Sequence, residues 1–183
     1  MTIAKPAEMF AEFMADEAWW SGRREHVHQL ANGFEKWLAT DWLLWMKARG
    51  LARSGAGIEY KTALAANGSL DRDQKQIDLW WSAGVDPENG PWDYVELKVV
   101  FANRNQGKLF TAAGWDLDAV SRIDRSEKPR AGALVVVGVG FRTTSAHWEA
   151  GLKSVAEAAQ IEAPRTDGSA GGLVWAVWSI DLG

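Results

Sequence analysis

The sequence predicts an α/β fold in a single domain spanning residues 1–183, with a mixed sheet flanked by helices. Three observations carry this expectation. Apolar residues recur at helical spacing up to Gly50 and alternate after it. Three strand-like segments then follow one another, at 57–66, 72–82 and 92–101. A helix, a strand, a helix and a closing strand come last, giving the order α-α-β-β-β-α-β-α-β.

Residues 6–20 read as a short helix, with Pro6 near its start. A longer helix is expected over 22–49, where Val27, Leu30, Phe34, Trp37, Leu38, Leu44 and Trp45 share a face. Gly33 is a place for it to kink or split, and Gly50 is a natural stop. Asn67-Gly68 signals a turn between the first two strands. VDPENGP at 85–91 reads as a loop, and WDYVELKVVF at 92–101 is the clearest strand. NRNQG at 103–107 ends it, and 108–124 is expected to be helical. Residues 133–141 form a buried strand. Ser145 can cap a helix running to about 160. PRTDGSAGG at 164–172 reads as a loop, and 171–182 as the last strand.

Composition suits this picture. Apolar residues make up 47% of the chain and charged residues 24%, ordinary for a globular protein. Twelve tryptophans are unusual; they demand large buried surfaces and partners for their N–H groups, so some should line a groove or interface. With no cysteine, disulfides, thiolate metal sites and cysteine nucleophiles are excluded. The N-terminal residues lack a signal-peptide pattern, and no apolar run is long enough to span a bilayer. A cytoplasmic protein without membrane attachment is expected. The net charge of −4 leans against a general nucleic-acid binder, although local charge placement matters more than the sum.

The chemistry concentrates on 92–101. Alternation puts Tyr94, Glu96, Lys98 and Val100 on one face and Val95, Leu97, Val99 and Phe101 on the other. Glu96 and Lys98 therefore project together from an otherwise apolar strand, which is costly unless they pair, bind a metal or reach a cleft. Asp78 stands between Ile77 and Leu79 on the preceding strand, and pairing of the two strands would bring it near Glu96. Two close carboxylates repel, and a divalent cation resolves that. Mg2+ suits carboxylates, waters and a substrate phosphate, and can activate a bound water. A neighbouring lysine can orient that water or stabilise the pentacovalent phosphorane.

An acid-x-Lys triplet alone is weak evidence, since roughly one is expected by chance in such a chain. Three occur: Glu59-Tyr60-Lys61, Asp73-Gln74-Lys75 and Glu96-Leu97-Lys98. The first has no acid on a preceding strand. The second lies in a polar stretch and reads as solvated. The third alone has the apolar strand and the upstream Asp78.

With IDLWW followed by DYVELKVVF, the chain resembles the PD-(D/E)XK nuclease superfamily over about residues 22–141. The resemblance implies a restriction-endonuclease-like core, α-β-β-β-α-β, here with an added N-terminal helix and a C-terminal helix and strand. It implies that Asp78 and Glu96 are metal ligands, that the backbone carbonyl of Leu97 also faces the metal, and that Lys98 is the catalytic lysine. Ile77 stands where the family's name has proline. The implied cofactor is Mg2+, with Mn2+ as a substitute. The implied activity is phosphodiester hydrolysis, with DNA the expected substrate and RNA not excluded. An acid on the first core helix often completes such a site. On a wheel of about 100° per residue, Glu35 flanks the apolar face beside His28 and Asn32, and it is the first choice, with Glu25 second. Asp41 falls inside the apolar stripe, which calls for a buried hydrogen bond or ion pair.

Plainer readings stand beside these. Glu96 and Lys98 could be an exposed edge-strand ion pair. His26 and His28 do not share a helix face, and His147 packs or faces water. Gly138-x-Gly140 lacks a phosphate-loop pattern. Gln106 and Lys108 open the helix after the triplet strand, where substrate contact and an ordinary helix start are both open. Arg122, Arg125, Lys128 and Arg130 read as a solvated helix end in preference to a phosphate-binding stretch. One of Trp80 and Trp81 should pack in the core. Two other functions stay open: a catalytically silent member of the fold acting through protein contacts, as a homodimer for instance, and another metal-dependent phosphoester reaction.

Overall fold

A computed structural model describes residues 5–23, 33–52, 55–65, 74–84, 89–103 and 105–183. Its elements are α1 (Pro6–Ala15), α2 (Glu17–Trp20), α3 (Phe34–Ala48), β1 (Ala56–Ala63), β2 (Gln74–Ser82), β3 (Trp92–Phe101), α4 (Gln106–Ser121), β4 (Pro129–Val139), α5 (Ala146–Ala159), β5 (Arg165–Ala170) and β6 (Leu173–Asp181), with a 3-10 turn at Arg125–Glu127. The expected α/β class, the mixed sheet and the flanking helices are all present. The six strands lie in the order β1-β2-β3-β4-β6-β5, parallel between β3 and β4 and antiparallel elsewhere. The parallel step is made by α4, as a crossover between parallel strands requires.

Alternation along the central strands builds a core on each face of the sheet. Val95, Leu97 and Val99 of β3 and Ala133, Val135 and Val137 of β4 pack against α1 and α3, through Phe10, Phe13, Trp42 and Trp45. Val100, Leu134 and Val136 face the other way, against Phe110 and Leu117 of α4 and Trp148 and Leu152 of α5. Gly114 sets how closely α4 and α5 approach. A Cβ there would stand 2.5 Å from the Ala158 Cβ and 2.6 Å from the Val155 carbonyl oxygen. Gly138 belongs to this packing too, since a Cβ would meet Trp148 at 2.6 Å.

Several expected boundaries are corrected. The helix expected over 6–20 is two helices. Asp16 leaves helical geometry and accepts the N–H of Trp19, so it caps α2. The second helix is described only from Phe34, with Gly33 at its N-cap, and Gly50 follows its end at φ +68°. Residues 24–32, with Glu25, His26, His28 and Asn32, and the Asn67-Gly68 turn lie outside the described residues. β4 begins four residues before the expected 133, at Pro129, because Pro129 and Ala131 pair with Trp92 and Asp93 of β3 across a bulge at Arg130. Ser145 precedes α5 as expected but makes no side-chain cap. The segment read as a loop at 164–172 carries β5, which pairs with β6 through a Gly171-Gly172 turn at positive φ. Asp41 is buried and accepts from Trp19 Nε1 and Arg23 Nη1, each at 2.9 Å. Among the described residues no helix is long and apolar enough to cross a membrane.

Candidate metal centre

The site lies where β2 parts from β3. The two strands pair only from Leu79–Ser82 to Trp92–Val95. One step further, Asp78 would face Glu96, but no backbone ladder is made there. The β1–β2 ladder is interrupted at the same point: its register runs from Ile58↔Leu79 to Tyr60↔Ile77 and omits Glu59 and Asp78. Glu59 has φ +57°, a left-handed conformation that is rare for a side chain of its kind. Here β2 also changes face. Ile77 packs beneath α4 with Tyr94 and Val120, while Leu79 packs in the opposite core with α3. Strict alternation would have kept both on one side.

Parting the strands leaves amides of β3 without backbone partners, and a buried N–H must be satisfied. Carboxylates do this. The N–H of Leu97 donates to Asp78 Oδ2 at 2.8 Å, and the N–H of Val99 donates to Glu35 Oε1 at 2.9 Å. Glu35 comes from the first turn of α3, on the other side of the sheet. A strand residue turns its N–H and C=O to the same edge, so the Leu97 carbonyl opens onto the gap as well. The amides fix Asp78 and Glu35 more firmly than solvent-facing acids could be.

Glu96 and Lys98 project from β3 towards α4, where they meet Asp116 and Lys75. Asp116 of α4 lies 3.2 Å from Lys98 Nζ and 2.5 Å from Lys75 Nζ. Lys75 also lies 2.8 Å from Glu96 Oε1. Lys98 Nζ is 3.8 Å from Glu35 Oε1. The reading of Lys75 as solvated is thus corrected. The face change at Asp78 turns it inward, while Gln74 and Gln76 on either side are exposed. For Asp116 a signal existed: it follows Ala113 by three residues and precedes Val120 by four, on the buried stripe of its helix.

Burial sets the electrostatics. Glu96 is only 5% exposed, and its Oε2 has no hydrogen-bond partner among the described residues. Loss of solvent, aided by the charges of Asp78 and Asp116, pushes its pKa up to about 8, against the opposing pull of Lys75. Burial also raises the pKa of Asp78, although its hydrogen bond from Leu97 works the other way. For Lys98, burial favours the neutral amine, but Asp116 and Glu35 together outweigh it and the pKa is raised. Lys75 behaves likewise under Glu96 and Asp116. Both lysines are therefore ammonium ions at neutral pH.

The residues singled out from the sequence thus converge: Glu35, Asp78, Glu96, Lys98 and the Leu97 backbone surround one gap. Others do not join them. Glu59 pairs with Lys36 at the surface, at 2.7 Å. Gln106 borders a separate cleft of about 410 Å3 beyond the ends of β3 and β4, with Arg142 and the exposed His147. Arg122 pairs with Asp118, and Arg130 turns inward to the buried Asp93, so the basic stretch is partly consumed within the protein. Trp81 is buried; Trp80 lies on the opposite face, against Tyr60 and Trp92.

Among the described residues no cluster of three acidic or histidine side chains is arranged as a ready metal cage. Mg2+ does not require one, since it binds through one or two carboxylates and keeps several waters. Two acids made reluctant to ionise, a donorless carboxylate oxygen and an inward-facing carbonyl fit such a cation. Comparisons of the chain with family models, curated proteins and solved structures give no match.

Proposed function

We propose that the protein is a metal-dependent nuclease that hydrolyses phosphodiester bonds in DNA. The observation that carries this reading is the gap between β2 and β3. Asp78 is fastened there to a β3 amide, and Glu96 presents a buried oxygen with no donor among the described residues. A divalent cation held by Asp78, Glu96 and the Leu97 carbonyl would neutralise charge on the phosphate and lower the pKa of the attacking water. The chain's own groups do the rest. Lys98, as an ammonium, donates to the water or to the phosphoryl oxygen that gains charge. Its raised pKa suits that part and not proton abstraction. Glu35 and Asp116 hold Lys98 in place.

The test is cleavage of plasmid and single-stranded DNA with Mg2+ or Mn2+, against EDTA and a Lys98→Ala control. Cleavage by the parent protein alone supports the reading. Absence of cleavage, or equal cleavage by the variant, sinks it.

One observation favours a second reading. Lys75 and Lys98 already give the acids cationic partners, so the network can serve as a structural element in a catalytically silent binding module. Trp115 on α4 is 64% exposed and Leu44 on α3 is 51% exposed, and either could join a protein interface. Calorimetry showing no metal uptake, with sedimentation showing a dimer that Trp115→Ala disperses, would establish that reading instead.

A further inference from the structure

The geometry points to Lys75 as a built-in replacement for a second metal ion: its ammonium bridges Glu96 and Asp116, so the centre takes one divalent cation and not two. This rests on the metal-dependent reading above and specifies it.

The argument starts from the distances. Lys75 Nζ lies 2.8 Å from Glu96 Oε1 and 2.5 Å from Asp116 Oδ1. A cation between two carboxylates is the arrangement a second metal would adopt in a two-metal site. Here the position is filled by a side chain that cannot diffuse away. Glu96 is divided as a result. Oε1 is occupied by Lys75, and Oε2, buried and without a donor among the described residues, is left for the other cation. Glu96 can then bind a metal through one oxygen only.

The charge count agrees. Glu35, Asp78, Glu96 and Asp116 supply four carboxylates, and Lys75 and Lys98 supply two ammonium groups. With every acid ionised, two negative charges remain, which one divalent cation neutralises. A second would leave the cluster with excess positive charge at largely buried side chains, where such an excess is costly. Asp116 also touches both lysines. It is a positioning residue that joins the cation substitute to the lysine of the proposed chemistry.

The experiment measures Mn2+ binding to the full chain by calorimetry, with circular dichroism to verify folding. The parent protein is expected to bind one Mn2+ per chain. Lys75→Met should bind a second Mn2+, or bind the first at least about tenfold more tightly, because a positive charge a few ångströms away has been removed. Lys75→Arg, which keeps the charge, should keep the parent stoichiometry. An anomalous difference map of Mn2+-soaked parent crystals gives an answer independent of how any variant folds. A single peak on the Asp78 side of Glu96, with Lys75 still on Oε1, is expected. Two ions per chain in the parent protein, a peak between Glu96 and Asp116 in its crystals, or a folded Lys75→Met protein that gains neither a second ion nor tighter binding of the first would overturn the inference and leave the nuclease proposal standing. No Mn2+ in any protein would overturn both.

Discussion

The two halves of β3 have nearly the same alternating pattern but are held in different ways. From Trp92 to Val95 the strand is held to β2 by a backbone ladder. From Glu96 to Val99 it is held on that side by the carboxylates of Asp78 and Glu35. The first half is ordinary sheet. The second half has a backbone-lined gap, and acids are the price of opening it. The difference shows how one strand can be both a core element and the floor of a site. The N–H groups of Leu97 and Val99, freed from the ladder, are each taken over by a carboxylate, which gains a fixed position in the process.

The largest contrast comes from breaking each half separately. Leu79→Ala, in β2 opposite Val95 of the paired half, should cost about 2–5 kcal/mol of stability by leaving a cavity, read by denaturant unfolding. Activity per folded molecule should not change. Lys98→Ala, in the open half, should instead lower cleavage per folded molecule by about a hundred- to a thousandfold, with a smaller loss of stability than Leu79→Ala because Lys75 still pairs with Asp116. A Lys98→Ala protein that unfolds like Leu79→Ala would erase the distinction.

Asp78 offers a finer cut, because it serves both the amide and the proposed cation. Asp78→Asn keeps an oxygen for the Leu97 N–H and should fold normally while losing Mn2+ binding. Asp78→Ala leaves that amide unpaired and should lose about 1–3 kcal/mol as well. Equal stability of the two variants would mean that the hydrogen bond contributes nothing.

The pH dependence is smaller and has a definite sign. Glu96 holds its proton up to about pH 8 in the folded protein, against an ordinary value of 4.5. Between these limits the folded state binds more protons than the unfolded one. Stability in EDTA should therefore fall as pH rises from 5 to 8, by at most about 1.4 kcal/mol per pH unit. Mg2+, which favours the carboxylate, should flatten that slope, and its affinity should rise over the same range. Thermal unfolding at several pH values, with and without Mg2+, measures both. The smallest effect belongs to Lys36→Ala. Its exposed pair with Glu59 is worth a few tenths of a kcal/mol at most, even though it adjoins Glu35.

How far the sequence disclosed this depended on how strongly each pattern was enforced. β3 was legible residue for residue, because a strand buried on both faces reads as a nearly continuous apolar run, in which two charges stand out. Glu35 could be found from the edge of a helical stripe. β5 was hidden, since RTDGSA is an edge strand with little burial and so carries no hydrophobic signal. Lys75 was misplaced for a different reason. Its orientation depends on the face change at Asp78, and that irregularity arises from two strands together, through Glu59 on β1 and the parting from β3. Asp116 sat visibly on a buried stripe but gained meaning only once α4 was laid across the charged face of β3. The ligand-like residues were therefore readable locally, whereas the residues that hold them were not.

The shortness of the β2–β3 ladder has a mechanical consequence. Four residues of β2 carry the backbone bonds that join β1 and β2 to the rest of the sheet, while β3 and β4 are laced along their whole length. Asp78 rides on the lightly attached part, and Glu96 on the firmly anchored part. The centre thus straddles a joint. Amides of Tyr60 and Ile77 should exchange with solvent deuterium sooner than those of Val135 and Val136. A ligand gripping both sides would clamp the joint and slow that exchange, making the sheet itself a gauge of whether the gap is occupied.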